Sequence, residues 1–412
     1  MTVLLSRFYR LVTLLSFLLG AVAPLVAEAQ PPIRIGATLS QTGGSAVSGQ
    51  TQLRGYQLCV KHLNERGGVL GRKLELVVYD DGSNSDTAVR LYEKLITQDK
   101  VDLVLSPQGS LITDSVADVT EKHKMPMVAP NAATTSIYRK GRKFIFSLSP
   151  PAEVYLEGLI DLAAKKGLKT VALISGDNLF GRAVIQGSIE LAKRKGLQVV
   201  FVDLYPQGTT DFSTILAKVR AANPDVLGGG AGGLADEVAI TRQLKTLNVN
   251  PRMVGLTAAV DLPKFYEVLG RDAEFVYGAT TWVPELVDIR AGGLIPIARQ
   301  YPGAREFVES YRKEFPGADL SNRSAGGYGA CQILVEAIRR AGSLEGTKLR
   351  DAISKMNHNT VFGAFRVDRD GVQVAHKLLL FQWQDGKKAI VWPEELAANK
   401  PRFPTPPWSQ RP

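Results

Sequence analysis

The sequence has little of the chemistry on which metal sites and many enzymes depend. It contains two cysteines and four histidines in 412 residues, and the histidines are scattered without the spacing of metal ligands. We therefore expect no metal site and no cofactor. No G-x-S-x-G sequence is present, so a serine hydrolase would lack its usual nucleophile signal. No apolar run of membrane-spanning length follows residue 29, and the mature chain is expected to be soluble.

Residues 1–29 have the pattern of a secretory signal peptide. Arg7 and Arg10 give a basic start, residues 11–22 are apolar, and Ala27-Glu28-Ala29 is a small-x-small cleavage site. A single membrane anchor is the alternative, although the apolar stretch is shorter than the roughly 20 residues that a span takes. No cysteine follows the cleavage site, so a lipid anchor is not indicated. The mature chain is therefore expected to be exported.

Basic residues outnumber acidic ones by 50 to 40, but this excess is spread along the chain. Short basic runs such as Lys193-Arg194-Lys195 and Arg339-Arg340 lie near predicted helix ends, where cations complement the helix dipole. No basic patch interleaved with aromatic residues is present. Nucleic acid is therefore not an expected partner.

The two cysteines, Cys59 and Cys331, each lie within a helical pattern. In an oxidising compartment they can form a disulfide, and two partly buried free thiols are the alternative. The sequence does not give the distance between them. Both outcomes therefore remain open at this point.

Short apolar runs alternate with helical patterns along most of the chain. Such repeated strand–helix units predict an α/β fold with doubly wound parallel sheets. The mature chain of about 380 residues exceeds the usual size of one core, so two lobes are expected. The predicted strands in this alternation are residues 33–39, 74–79, 101–105, 126–129, 170–175, 198–204, 225–227 and 253–256.

Two segments interrupt the alternation and are predicted crossovers between the lobes. They are residues 143–149 and 275–283, and each leads into proline. A last predicted strand, 377–383, returns the chain to lobe two, which makes three crossovers. The predicted organisation is a signal peptide at 1–29, lobe one at 30–146 plus 283–365, lobe two at 147–282 plus 366–392, and a tail at 393–412. This proline-rich tail is expected to wrap the surface or to be disordered.

Residues 101–138 carry the functional prediction. Two runs typical of buried strands, 101–105 and 126–129, flank a helical pattern, so the strands should be parallel and end at the same edge of the sheet. Ligands bind at that edge in open parallel sheets. The turns that follow form the candidate site: Gln108, Gly109 and Ser110 in the first turn, and Ala132, Ala133 and Thr134 in the second.

The chemistry of these turns favours holding a ligand. Ser110 opens a helix, where unpaired backbone N–H groups and the helix dipole favour an anion. Neither turn contains an acid, a histidine or a cysteine, which indicates binding of a small polar ligand rather than reaction with it. Ordinary helix capping by Ser and Thr explains the same residues when they are taken alone.

Several further motifs occur in a characteristic order and spacing. They are Ile33-Arg34-Ile35-Gly36, Asn64-Glu65-Arg66-Gly67-Gly68-Val69-Leu70-Gly71-Arg72-Lys73, Tyr79-Asp80-Asp81, Asp177-Asn178-Leu179-Phe180-Gly181, Gly208-Thr209-Thr210-Asp211-Phe212-Ser213 and Asn223-Pro224-Asp225-Val226. Together with the two turns, they resemble the branched-chain amino-acid-binding (Leu/Ile/Val-binding) family of periplasmic proteins that serve ABC importers. The resemblance covers nearly the whole mature chain. It implies the type I periplasmic binding protein fold, with two doubly wound lobes joined by three crossovers.

The resemblance also implies how a ligand is held. In that family a serine in the first turn, and backbone groups plus a threonine in the second, bind the carboxylate of the ligand. These positions match Ser110, and Ala132 with Thr134, although Asn131 leaves the register ambiguous by one residue. An aromatic residue before a glycine on lobe two packs over the ligand, and Phe180 matches it. A core position at a helix start is the alternative for this phenylalanine.

Two departures from the family pattern concern the ligand. Members that bind amino acids have an acid after the strand that ends here at 253–256, and this acid pairs with the α-ammonium group; this chain has Thr257. An aromatic residue usually follows the 225–227 strand, and here residues 228–233 read GGGAGG. The expected ligand is therefore a carboxylate or an amide, with room for a bulky group, and not necessarily an α-amino acid.

Three more side chains are candidates for the cleft. Arg323 lies near the position where the family presents a side chain, and it would bind a second anionic group bidentately. A solvated loop arginine is the alternative. Trp282 and Tyr155 would supply flat apolar walls, with hinge packing as the alternative for both.

The enzyme patterns are weaker than the binding pattern. Residues 228–233 satisfy G-x-G-x-x-G, but Thr257 replaces the acid that a dinucleotide site needs at the end of the next strand. Asp80-Asp81 follows a strand and is interpreted as a turn cap. We therefore predict a monomeric solute-binding protein, not an enzyme, that delivers a small ligand to an ABC permease in the inner membrane. A ligand-sensing receptor component of the same fold is the alternative, ahead of a periplasmic enzyme.

Overall fold

Strands and helices alternate along most of the chain. The computed structural model of the protein describes residues 30–257, 259–288, 297–397 and 399–411. The strands are β1 (Ile33–Leu39), β2 (Leu74–Asp80), β3 (Leu103–Val104), β4 (Met127–Ala129), β5 (Ile145–Ser147), β6 (Thr170–Gly176), β7 (Gln198–Tyr205), β8 (Val226–Gly230), β9 (Met253–Leu256), β10 (Tyr277–Thr280), β11 (His358–Thr360), β12 (Gly363–Phe365), β13 (Leu379–Gln384) and β14 (Lys387–Trp392).

The α-helices lie between these strands and on both faces of the sheets. They are α1 (Ala46–Glu65), α2 (Ser85–Thr97), α3 (Ser110–Lys122), α4 (Glu157–Lys165), α5 (Leu179–Arg194), α6 (Ser213–Ala222), α7 (Leu234–Thr246), α8 (Pro263–Leu269), α9 (Ile297–Gln300), α10 (Ala304–Glu314), α11 (Asn322–Ala341) and α12 (Gly346–Ser354). The signal-peptide prediction lies outside the described residues.

Lobe one is built on two groups of parallel strands. Strand β1 pairs with β2 on one side and with β3 on the other, and β4 pairs with β5. The side chains of Ile33, Ile35, Ala37 and Leu39 in β1 are fully buried. Helices α1 and α11 cover one face of the sheet, and α2 and α3 cover the other. Both faces of β1 are therefore covered by helices, and its apolar side chains, which alternate with Arg34, Gly36 and Thr38, face α1 and α11.

Lobe two contains a seven-stranded sheet in the order β14-β13-β10-β9-β8-β6-β7. The strands from β7 to β10 run parallel, and β13 and β14 run antiparallel at one edge. The chain passes between the lobes after β5, after β10 and after β12. The predicted α/β fold, with two doubly wound lobes joined by three crossovers, is confirmed.

The antiparallel strand β14 lies beyond the last predicted strand, which is 377–383. Asp385 and Gly386 join β13 to β14 and have φ angles of 51° and 73°. An Asp-Gly pair in this conformation is typical of a two-residue hairpin turn. The dipeptide was therefore the available signal for the hairpin.

The proline-rich tail packs on lobe two, which is the first of the two expected outcomes. Trp408 is buried there, and its indole Nε1 donates to the carbonyl of Val249 at 3.0 Å. The backbone N–H of Trp408 donates to the side chain of Asn250 at 2.8 Å. The guanidinium of Arg411 stacks on the Trp408 ring at 3.4 Å.

A disulfide joins Cys59 in α1 to Cys331 in α11, with a Cα–Cα distance of 6.4 Å. Of the two outcomes that the sequence left open, the structure has the bonded one. Among the residues that the structure describes, no helix combines the length and the apolar character needed to cross a membrane.

Candidate functional site

A cavity of about 650 Å³ lies between the two lobes. It opens at the carboxyl ends of the parallel strands: Gln108 follows β3, Ala133 follows β4, Asn178 follows β6, and Thr257 follows β9. This is the edge at which open parallel sheets bind ligands. Eight of the predicted site residues line the cavity: Gln108, Gly109, Ser110, Ala133, Tyr155, Phe180, Thr257 and Arg323.

The amino-terminal ends of five helices meet at the cavity. Helices α1, α3, α5, α7 and α11 each present their first residue or the residue before it, namely Ser45, Ser110, Leu179, Leu234 and Asn322. Helices α1, α3 and α7 have no side-chain cap on this end. Unpaired N–H groups and the helix dipole make such ends electropositive.

The first turn brings Ser110 to the cavity wall. Gly109 precedes α3 with a φ of 85°, a conformation that glycine adopts at little steric cost. Ser110 is 6% exposed, and its hydroxyl oxygen accepts a hydrogen bond from the hydroxyl of Thr134 at 3.1 Å. The two predicted turns therefore meet, and the hydroxyl hydrogen of Ser110 is left to donate to another group.

Of the three residues predicted in the second turn, one lines the cavity. Ala133 lines the cavity, whereas Ala132 and Thr134 do not. Ala132 is fully buried, and its carbonyl accepts from the hydroxyl of Tyr138 at 2.6 Å. The backbone after β4 directs the Ala132 carbonyl into lobe one, where Tyr138 binds it, and not into the cavity. The register was the point that the motif left ambiguous.

Two aromatic side chains form part of the wall. Tyr155 and Phe180 both line the cavity, and their rings meet edge to face at 5.1 Å. Burial raises the pKa of the Tyr155 phenol well above its usual range, so this group remains neutral. Trp282 does not line the cavity. It is fully buried, and its Nε1 donates to the carbonyl of Val361 at 3.1 Å. Trp282 therefore packs in the hydrophobic core that includes Phe307 and is not a wall of this cavity.

Backbone geometry explains why a glycine is needed at position 229 in the glycine-rich run. Gly229 in β8 has a φ of 142°, and a Cβ on it would lie 1.6 Å from the carbonyl oxygen of Ile174 in β6. The positive φ angle disfavours a residue with a side chain, and the Ile174 carbonyl leaves no space for a Cβ atom. Thr257 contacts the same segment, since its hydroxyl donates to the Gly229 carbonyl at 3.1 Å. The turn at 231–233 then lines the cavity.

Arg323 is not a loop residue, which corrects one of the two interpretations offered for it. It is the second residue of α11 and is 7% exposed. Its guanidinium contacts the carboxylate of Asp261 at 3.1 Å, and its Nε donates to the hydroxyl of Ser48 at 3.0 Å. Asp261 follows β9 in lobe two, so this buried ion pair joins the two lobes. The sequence pattern did not single out Asp261, which lies beyond the position of the expected acid.

Two asparagines that position the wall were also missed. The side-chain oxygen of Asn178 accepts from the N–H of Gly181 and caps α5, while its amide donates to the carbonyl of Ala231 at 2.8 Å. Asn131 donates to the side chain of Gln52 at 2.8 Å. An asparagine between a strand and a helix is a capping signal, and it would have found Asn178.

Among the described residues that line the cavity, Arg323 is the one arginine, lysine, aspartate or glutamate, and its guanidinium is paired with Asp261. Within the described ranges, no group of three or more His, Cys, Asp and Glu side chains has an arrangement that would hold a metal ion. The site therefore presents hydroxyls, amides, helix ends and one guanidinium to a ligand.

The fold and this cavity define a two-lobed ligand-binding protein. A family model described as "Periplasmic binding protein" matches residues 32–388, and the chain belongs to that family. A curated relative, the Leu/Ile/Val-binding protein homolog 7 of Brucella melitensis biotype 1, is 24% identical over 402 residues, covering 93% of this chain and 98% of the relative.

Two solved structures have a similar fold. One is a leucine-binding protein, LivK, from Thermotoga maritima, with a TM-score of 0.75, 24% identity, and coverage of 87% of this chain and 97% of that one. The other is the branched-chain amino acid transporter substrate-binding protein LivJ from Streptococcus pneumoniae in complex with isoleucine. It has a TM-score of 0.74, 20% identity, and coverage of 88% and 100%.

Proposed function

We propose that this protein is the solute-binding component of an ABC-type uptake system. It captures a small amino acid, carboxylate or amide in the periplasm by hinge closure. The observation that carries the proposal is the cavity of about 650 Å³ to which both lobes contribute wall residues. The likeness to proteins described as Leu/Ile/Val-binding and leucine-binding supports this ligand range.

Binding begins on lobe one. The Ser110 hydroxyl accepts from Thr134, so its own hydrogen is directed to a ligand oxygen. The uncapped end of α3 adds backbone donors beside it. A carboxylate or amide oxygen held there receives charge-assisted or neutral hydrogen bonds.

Lobe two then closes over the ligand. Tyr155, Phe180 and Thr257 reach the cavity from that side. A ligand that touches both lobes only in the closed arrangement has a higher affinity for that arrangement, and this difference in affinity shifts the population. The three crossovers are the segments that absorb the rotation. The closed monomer is the form that the permease of the inner membrane recognises.

The Ser110→Ala variant tests the position of the ligand. We expect it to weaken binding by about 1–3 kcal/mol, because one ligand oxygen loses its partner. Isothermal titration calorimetry gives the dissociation constant. Ser115→Ala is the matched control, because Ser115 lies on the same helix and its hydroxyl donates to the Leu111 carbonyl. An unchanged constant in Ser110→Ala would remove Ser110 from the site.

Ligand-dependent closure tests the function itself. A thermal-shift panel of amino acids, carboxylates and amides should yield a stabilising compound, and small-angle scattering should then show a decrease in the radius of gyration. Transport in vesicles that contain the cognate permease and ATPase should require the protein. Binding without any effect on transport would favour a sensor, and turnover of the bound compound would favour an enzyme.

A further inference from the structure

We propose that the ligand of this cavity is an organic carboxylate that carries no ammonium group. The inference rests on the proposed function and narrows its ligand class, because an α-amino acid and its des-amino analogue differ in that one group. Three observations carry it: the charge of the cavity wall, the partners of the nearby carboxylates, and the apolar part of the wall.

The wall of the cavity is electropositive. Five helix amino-terminal ends lie at it, and the Arg323 guanidinium, whose charge is paired with Asp261 at 3.1 Å, also lines it. Among the described residues that line the cavity, none is an aspartate or a glutamate. The helix ends stabilise a carboxylate, whereas an ammonium group finds no acidic side chain to pair with among the described residues of the wall.

Two carboxylates of lobe two lie close to the wall and already have partners. Glu237 is fully buried, and its two carboxylate oxygens accept from the backbone N–H groups of Ala231 at 3.3 Å and Ala259 at 2.9 Å. Asp261 accepts from Arg323 at 3.1 Å and from the hydroxyl of Thr280 at 2.9 Å. Each carboxylate therefore accepts hydrogen bonds from other parts of the protein, and neither lines the cavity.

Asp236 is the third carboxylate in this region and the alternative anchor for an ammonium group. Its Oδ2 is buried without a hydrogen-bond partner among the described residues. The atom lies against Gly232, where an added Cβ would come within 1.7 Å of it, and Asp236 does not line the cavity. Burial also raises the pKa of Asp236, which favours its neutral form.

The rest of the wall is suited to the hydrocarbon part of a ligand. Aliphatic side chains from both lobes line it, namely Leu111, Ile112, Leu234, Val238, Leu262 and Val268. A cavity of about 650 Å³ is within the range of sites that enclose a compact organic molecule. A branched or ring-bearing carboxylic acid places its charge at the helix ends and its hydrocarbon against these side chains.

Calorimetry with matched pairs of compounds tests the inference. The mature protein, freed of co-purified compounds by unfolding and refolding with its disulfide intact, is titrated with leucine and 4-methylpentanoate, and with phenylalanine and 3-phenylpropanoate. We expect the des-amino acid of at least one pair to bind roughly tenfold tighter or more than its amino acid, because an unpaired ammonium group loses its hydration on entry. The neutral 4-methylpentanamide should bind more weakly than 4-methylpentanoate.

Variants separate the two possible anchors. Asp236→Asn should leave the preference for the des-amino acid unchanged, and Arg323→Gln should reduce it. Equal or tighter binding of the amino acids overturns the inference, and loss of that binding in Asp236→Asn would then identify Asp236 as the anchor. Tighter binding of the amide also overturns it. In these cases the proposed function stands. Failure of all five probes to bind overturns this inference, and it contradicts the proposed function only if the wider thermal-shift panel also yields no ligand.

Discussion

His376 is a single side chain that joins two of the connections between the lobes. It lies on the crossover after β12, it is 8% exposed, and its ring stacks on Phe362 at 4.7 Å. Its Nε2 donates to the carbonyl of Thr281, on the crossover after β10, at 2.8 Å. Two of the three connections between the lobes are therefore joined through one neutral imidazole.

Burial lowers the pKa of His376 to about 4, from an ordinary value of 6.5. The unfolded chain therefore binds the proton more readily, and folding stability falls as the pH drops from 6.5 towards 4. We expect the loss from this group to reach about 2–3 kcal/mol at pH 4.5. Urea unfolding at pH 7.5 and pH 4.5 measures it by comparison with His376→Gln, which keeps a donor for the Thr281 carbonyl. Equal pH dependence in the two proteins would contradict the assignment.

The sequence predicts residue positions well where a local motif defines the turn. Gln108, Gly109 and Ser110 line the cavity because a strand end and a helix start are both visible in the pattern. It fails where the role depends on a distant partner. Arg323 and Asp261 are separated by 62 residues, and no local signal indicates that they meet.

At the scale of elements, α1 and α11 are in backbone contact. A Cβ on Gly55 would lie 2.1 Å from the carbonyl oxygen of Ser324, and one on Gly327 would lie 2.6 Å from that of Gln52. Both helices present their amino-terminal residues to the cavity. Their separation therefore sets the position of Ser48 and Arg323 in the wall.

Gly55→Ala should destabilise the protein although alanine is the better helix former. The added methyl group forces the two helices apart, and overpacking of this kind costs about 1–3 kcal/mol. Urea unfolding measures the change. Gly44→Ala is the control, since a Cβ there meets nothing within 4 Å. A Gly55→Ala protein that is more stable than the parent would show that the helices are not in this contact.

The disulfide between the same two helices links residues 272 positions apart. Replacing both cysteines by alanine should lower the free energy of unfolding by about 2–5 kcal/mol, because the unfolded chain regains the freedom of a long loop. Denaturant titration of the variant measures this loss. The unreduced, denatured parent protein should show no reactive thiol, and titration of two thiols would refute the pairing.

Most elements could be predicted because their apolar runs are long and regular; β1 and β9 have the predicted bounds. The start of α11 is harder, since Gly326, Gly327 and Gly329 lower its helix propensity. These glycines lie where the helix packs closely against its neighbours, and a Cβ atom there would crowd them. Tertiary packing therefore overrides local preference there, and Arg323 was assigned to a loop as the alternative.

At the scale of the whole molecule, the two-lobed plan follows from chain length and from the rhythm of strands. The closeness of the lobes does not follow, because it depends on groups that face each other across the cavity. Arg323 and Asp261 have side chains that are 9% and 3% exposed, and they form an ion pair between lobe one and lobe two. Removing either partner would leave the other charge buried without compensation, which is unfavourable.

A double-mutant cycle on this pair tests whether the lobes are coupled through it. Asp261→Asn, Arg323→Gln and the double variant should show a coupling of about 1–3 kcal/mol in the free energy of unfolding, since each single variant leaves one buried group without its partner. Lys165 and Glu394 form the control pair. Their side chains are 50% and 80% exposed, and a surface pair contributes about 0–1 kcal/mol. Additive effects of the two cavity substitutions would mean that the ion pair does not stabilise the arrangement of the lobes in this structure.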